Sequence, residues 1–239
     1  MKKLNYEIEP IKGQKTFKFS ETLPEHPSRV LFIGPSQLSG KTTVLLNLLN
    51  RKKFPFYKFY HPRNIYIICP TINHDHRWKD MDLKKENIID KWDIDFIKKV
   101  EKKVNKKKYP SLLIVDDTIP LPGGRSNKED FWAIFTKGRH YGENRKTGGG
   151  LSIWVTTQYY KSLAPVVRNN CSNLCLWLSS DQQVNTMYDE HSNGLKKKLW
   201  IEIYQYCTKK PHSFLHINYS NHHLKDGRFC LKFEKVLKF

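Results

Sequence analysis

Three short stretches place residue types that act on phosphates. "SGKTT" (39–43) sets a glycine, a lysine and two hydroxyls in succession. Backbone N–H groups at such a glycine turn can wrap a phosphate, the ammonium can reach its outer oxygens, and a hydroxyl can ligate Mg2+. "DD" (116–117) closes the apolar run "SLLIV". One acid at such a strand tip suits the metal shell, and the next suits orienting or deprotonating an attacking water. Asp116 is the metal-side candidate, and Asp117 the candidate general base. Gln158 ends "LSIWVTT" with an uncharged amide that can touch both a terminal phosphate and that water. Thr156 and Thr157 are weaker candidates for the same contact. Arg139, in the basic loop "KGRHYGENRKTGGG", is a candidate arginine finger, a cation often supplied by a neighbouring subunit. Arg168, in "LAPVVRNNC", is its rival.

The loop around the lysine departs from the usual phosphate-loop spacing. Four residues normally separate its two glycines. Here Gly34 and Gly40 enclose five: Pro35, Ser36, Gln37, Leu38 and Ser39. A strict count puts Pro35 where the first glycine belongs. The expectation is a one-residue bulge near Gln37-Leu38, in the outer loop. The nucleotide-binding set is therefore Gly34, Pro35, Ser36, Gln37, Ser39, Gly40, Lys41, Thr42 and Thr43, with Thr42 and Asp116 for Mg2+. The competing reading is a strand–turn–helix that happens to contain Gly-Lys-Thr.

Positioning these groups requires strands that end together. "RVLFIG" (29–34), "NIYIICP" (64–70), "SLLIVDD" (111–117), "GGGLSIWVTTQ" (148–158) and "NLCLWLSS" (173–180) read as strands, mostly as solid apolar runs. Helices are expected at 40–52, 93–108 and 127–140. The basic end of the first suits the negative end of its dipole. In the second, Ile94, Ile97, Val100 and Val104 recur at helical spacing. Strands alternating with helices predict a mainly parallel sheet covered on both faces. Residues 1–28 read as a small β extension and linker, 29–193 as the core, and 194–239 as a helix and a hairpin turning at "KDG" that complete the same domain.

The 239 residues carry a net charge of +19. Such an excess opposes compaction unless a polyanion lies nearby, and nucleic acid is favoured over an anionic membrane surface. Lys102, Lys106, Arg145, Lys146 and Arg168 are the candidate DNA contacts, among wider lysine runs. Five irregularly spaced cysteines suit a reducing compartment. The Cys and His residues of 207–223 fit no zinc-finger spacing. No apolar run reaches membrane-spanning length, and the start "MKKLNYEIEP" lacks the apolar stretch of a signal peptide. The chain is expected to be soluble and intracellular.

"IGPSQLSGKTT", "NIYIICPT", "SLLIVDD", "KGRH" and "SIWVTTQYYKSLAPVVRNN", in that order, resemble the genome-packaging ATPases of nucleocytoplasmic large DNA viruses, virophages and virus-like transposons. These belong to the FtsK/HerA superfamily. The resemblance covers about residues 29–180. It implies a three-layer αβα P-loop fold of the ASCE type, with the glutamine strand beside the phosphate-loop strand. It also implies ATP with Mg2+, a homo-oligomeric ring acting on double-stranded DNA, capsid vertex partners, and a place in the virion, host cytoplasm or viral factory. Lys41, Thr42, Asp116, Asp117, Arg139 and Gln158 occupy its motif positions. The extra loop residue departs from the pattern. Two other readings are a P-loop nucleotide kinase and a non-catalytic DNA-binding or scaffold protein with a degenerate loop.

Overall fold

The computed structural model describes residues 16–36, 39–79, 81–117, 124–144, 146–192, 194–221 and 228–239. β1 (Arg29–Ile33) is followed by α1 (Lys41–Asn50) and the single turn α2 (Phe56–Phe59). β2 (Ile65–Ile68) and the two-residue β3 (Ile88–Ile89) lead to α3 (Ile94–Lys107). Then come β4 (Pro110–Val115), α4 (Gly124–Lys137), β5 (Gly150–Thr157), the short α5 (Pro165–Arg168) and β6 (Asn173–Leu176). α6 (Asp181–His191) and α7 (Lys197–Thr208) precede β7 (Leu215–Asn218), β8 (Phe229–Leu231) and β9 (Lys235–Val236).

One sheet runs in the order β3-β2-β4-β5-β1-β6-β7-β8-β9. Its pairs from β3 to β6 are parallel, and β7, β8 and β9 add antiparallel pairs. The period-2 geometry of a strand sends alternate side chains to opposite faces. Leu31 and Ile33 of β1 therefore join one core with Val100 of α3, Phe135 of α4 and Trp200 of α7. Val30 and Phe32 join a second with Leu45 of α1 and Phe56 of α2. This is the three-layer α/β arrangement expected, and β5 lies beside β1 as the resemblance implies.

Local chemistry explains the helix limits. The Asp93 carboxylate accepts the N–H groups of Asp95 and Phe96, which starts α3, and Lys108 at φ 55° ends it. Phe96, Ile97, Val100 and Val104 are its buried stripe, each contributing about 1.5–3 kcal/mol by leaving water. α1 ends at Asn50, so Arg51 and Lys52 fall beyond its last turn and the expected basic terminus is absent. The N-terminal β extension reduces, among the described residues, to a single bridge between Phe17 and His26. α6 occupies a stretch that carries no expected element. In the tail, β7 pairs back onto β6, so the C-terminal strands extend the core sheet. The expected turn at 225–227 lies outside the described residues.

Three histidines sit inside this fold. Burial holds His26 and His216 down at about 3, and His191 at about 4, against 6.5 in an open chain. His191 is wedged between the Tyr160 and Tyr219 hydroxyls, and His216 shares a 2.8 Å bond with the Asn173 side chain. Below pH 6.5 the unfolded chain therefore takes up protons that the native chain refuses, so stability falls as pH falls. Each such group gives a slope of about 1.4 kcal/mol per pH unit, or about 4 for the three together. Denaturant titrations followed by tryptophan fluorescence should show this loss between pH 6 and pH 4.5. An unfolding free energy unchanged from pH 6.5 to 5 would refute it.

Candidate functional site

The strands β1, β4 and β5 end on one edge of the sheet, and the candidate residues gather there. The chain leaves β1 through Gly34, whose N–H still bonds the Thr157 carbonyl at 3.2 Å. A Cβ on Gly34 would stand 2.6 Å from that of Trp177, so only glycine lets the loop start this close to the chain leaving β6. Gly40 takes φ 82° immediately before α1, a left-handed turn that other residues resist. No side chain caps α1. Its first N–H groups and dipole thus face the loop, as an anion site requires. The expected bulge at Gln37-Leu38 lies outside the described residues, as does Gln37 as a ligand.

Lys41 is buried in the first turn of α1. Its ammonium donates to the carbonyls of Gly34 and Pro35, both at 2.8 Å, and to the Ser39 hydroxyl at 3.2 Å. Burial holds it below the ordinary lysine range, against the pull of Asp117 and Asp116. The Thr42 hydroxyl donates to both Asp116 oxygens at 3.2 and 3.3 Å. Ser36, Lys41, Thr42, Asp116 and Asp117 line a cleft of about 530 Å³. Pro35 and Ser39 line a second, mostly apolar cleft of about 360 Å³ against Trp177, Leu178 and the 208–213 turn.

The acids stand differently from each other. Asp116 is 3% exposed, and burial raises its carboxyl above the usual range despite the hydroxyls that bond it. Thr156 donates to it at 2.6 Å, and the same Thr156 oxygen accepts the N–H of Asp117 at 2.8 Å. The Cys69 thiol, pushed up to about 11 chiefly by burial, adds a 3.7 Å contact. Asp117 is exposed and takes φ 52°, which turns its carboxylate away from the strand. The Gln158 amide donates to that carboxylate at 3.1 and 3.2 Å. The candidate base and the amide therefore touch. Asp116 ends β4, which is separated from β1 by β5, and β5 and its end supply Thr156 and Gln158.

The arginines separate. Arg139 is exposed, and its Nε donates to His140 at 3.0 Å. Its carbonyl lies beside Gly150, the first residue of β5, while the cleft lies past Thr157, the last. Roughly 23 Å of strand separates the two, so Arg139 does not reach the cleft of its own chain. Arg168 is engaged within its own chain. Nε and Nη2 grip Glu190 at 2.9 and 2.6 Å, Nη1 bonds the Leu163 carbonyl at 2.8 Å, and the guanidinium stacks over Tyr160. With 12% of its side chain exposed, it braces α5 against α6, and its fork is already occupied within its own chain.

Lys102, Lys106 and Lys146 are exposed, and Arg145 lies outside the described residues. Among the described residues, no three His, Cys, Asp or Glu side chains gather as a metal site, and no helix is long and apolar enough to cross a membrane. The sequence reading missed the segment after β2. Thr71, His74, Asp75, His76 and Arg77 form the far wall of the Lys41 cleft. The available signal was its place: it follows the carboxyl end of a strand, where open α/β sheets bind ligands.

A comparison with curated proteins gave no match. Among solved structures, the fold is similar to the genome packaging NTPase B204 of Sulfolobus turreted icosahedral virus 2 in complex with AMP. The identity is 14%, over 88% of this chain and 98% of that one, with a TM-score of 0.58. The same NTPase in complex with ATP-gammaS matches at 15% identity over 89% and 98%, with a TM-score of 0.57. B204, the DNA-packaging ATPase of Sulfolobus turreted icosahedral virus, matches at 13% over 89% and 98%, with a TM-score of 0.58. These likenesses establish the P-loop NTPase fold. Residues 14–236 match the family described as Poxvirus A32 protein, and the chain belongs to that family.

Proposed function

We propose that the chain is an ATPase that drives double-stranded DNA into a preformed viral capsid. The observation that carries the reading is the Thr42 hydroxyl 3.2 Å from the Asp116 carboxylate, at the mouth of a glycine-turned loop that holds Lys41. Family membership and the fold shared with B204 support it. Loop N–H groups and Lys41 bind the triphosphate, with Lys41 turning from the loop carbonyls onto phosphate oxygens. Thr42 and Asp116 offer hard oxygen donors that fit Mg2+. Held there, Mg2+ would supply charge neutralisation for the phosphate oxygens. Asp117 takes the proton of the attacking water, and Gln158, already on Asp117, holds that water in line. The apolar cleft beside Pro35 suits the base.

Arg139 serves the cleft of a second copy, and a homo-oligomeric ring follows from that need. The DNA backbone is gripped without base reading, for which exposed lysines suffice. Lys102, Lys106 and Lys146, all exposed, are the candidates for it. Capsid vertex proteins would be the stationary partners. The test is ATP turnover with and without linear duplex DNA. The wild type should turn over ATP faster with DNA, and Lys41→Ala should fall about 10²–10³-fold in both conditions. Arg139→Ala should lose turnover yet bind ATPγS within about threefold of wild type, a difference of about 0.65 kcal/mol. Turnover that is indifferent to DNA would overturn the motor, and turnover indifferent to Lys41→Ala would overturn the site.

A further inference from the structure

The wall facing Lys41 holds a second cation in a built position. Trp78 anchors its segment, 4% exposed in the core under α1 and α2. Asp75 accepts the Arg77 N–H at 3.1 Å and so caps the short 3-10 turn His76–Trp78. The same carboxylate takes Nε of Arg77 at 2.8 and 3.0 Å and Nη2 at 2.6 Å. Nη1 reaches across the cleft to the Thr43 hydroxyl, 3.1 Å away, on the first turn of α1. The guanidinium is thus stretched between one wall and the helix N-terminus that faces the phosphates. The Arg77 side chain is 52% exposed and that of Asp75 only 14%. The carboxylate is therefore the fixed part, and the fork is the part open to a ligand.

We infer that Arg77 recognises the terminal phosphate of the nucleotide from within the same chain, with Asp75 aiming its guanidinium. This rests on the ATP-binding reading of the cleft. A triphosphate enters beside Asp116 and Asp117, whose charges repel it, and Lys41 is the cation the loop supplies. A planar guanidinium offers five N–H donors in a fork that fits phosphate oxygens two at a time. Asp75 and Thr43 engage Nε, Nη2 and one hydrogen of Nη1, which leaves further N–H groups directed at the cleft. A lysine in the same place would supply charge without the fork. The contact depends on the third phosphate, so it separates ATP from ADP, whereas Lys41 and the loop amides hold both. Arg77 would thereby differ from Arg139 in role: it selects the nucleotide before any neighbour arrives.

The experiment measures ATPγS and ADP affinity by calorimetry on the full chain, with no DNA, for wild type, Arg77→Ala and Arg77→Lys. Unfolding midpoints and Lys41→Ala serve as controls. Arg77→Ala is expected to weaken ATPγS by about 10- to 100-fold, the strength of one to two charge-assisted bonds, while ADP shifts less than about twofold. Arg77→Lys should recover only part of the preference. Equal weakening of both nucleotides, or an unchanged ratio, overturns the inference. So does full discrimination by Arg77→Lys, which would show that charge alone is enough. If the wild type binds neither nucleotide, the ATP reading falls with it. If the wild type discriminates and Arg77→Ala still does, the ATP reading stands and only the role of Arg77 fails.

Discussion

Asp116→Asn should abolish turnover while leaving the protein without nucleotide at least as stable as wild type. The first effect follows from replacing a charged metal donor with a neutral amide. A metal-held charge is worth several kcal/mol in phosphoryl transfer, so a loss of at least about 10³-fold is expected. The second follows from where the carboxylate sits. Burial raises its carboxyl above the ordinary range, beyond what the Thr156 and Thr42 hydroxyls recover. A folded-state value above the unfolded one means that the native chain binds the extra proton. Stability is then lost as pH rises through that window. Asparagine removes the charge, so its unfolding midpoint at pH 7 should equal or exceed that of wild type. The difference should close as pH drops below the usual carboxylate range. The three histidines act identically in both proteins and cancel in the comparison. A variant clearly less stable at pH 7 would show that Asp116 is not a strained charge.

Thr156→Val should damage both acids at once. The Thr156 hydroxyl donates to Asp116 at 2.6 Å and accepts the Asp117 N–H at 2.8 Å. Valine keeps the shape and removes both bonds. A lost bond to a buried charge costs about 1.5–3 kcal/mol, so destabilisation of about 2–3 kcal/mol is expected. Turnover should fall about 10²-fold, because Asp117 is no longer held at φ 52° against Gln158. Thr156→Ser loses one methyl group, about 0.8 kcal/mol, and should restore most of the activity. The discriminating readout is Mg2+ dependence. Half-maximal turnover should need about tenfold more metal in Thr156→Val, a shift of about 1.4 kcal/mol, with ATPγS affinity measured without metal unchanged. Equal losses in the serine and valine variants would remove Thr156 from the site's support.

The parts of this molecule visible in its sequence are those fixed by local chemistry. β1, β2 and β4 are built on continuous apolar runs and β5 on a mostly apolar one, and α3 carries both its cap and its stripe. Lys41, Thr42, Asp116 and Gln158 meet at one sheet edge because each follows or ends such an element. α6 escaped notice because only Val184, Met187 and His191 of its eleven residues face the core. β3 is two residues long and exists through its pairing with β2. Long-range partners were the other blind spot. Nothing near Arg168 in the chain announces Glu190, and nothing near Thr43 announces Arg77. Thr156 read as a phosphate contact of lesser rank, and its bond to Asp116 became visible only when β5 was seated between β4 and β1.

That seating has a bearing on how the protein is made. Arg29 pairs with Ile153, and Val30 with Asn173, so β1 finds its sheet neighbours only late in synthesis. At about 5–20 residues per second, the nascent strand would emerge from the ribosome roughly ten seconds ahead of them. Val30, Leu31, Phe32 and Ile33, wholly covered in the finished molecule, would spend that interval bare. The edge that gathers Lys41, Asp116 and Gln158 is therefore completed only once β4, β5 and β6 have joined β1.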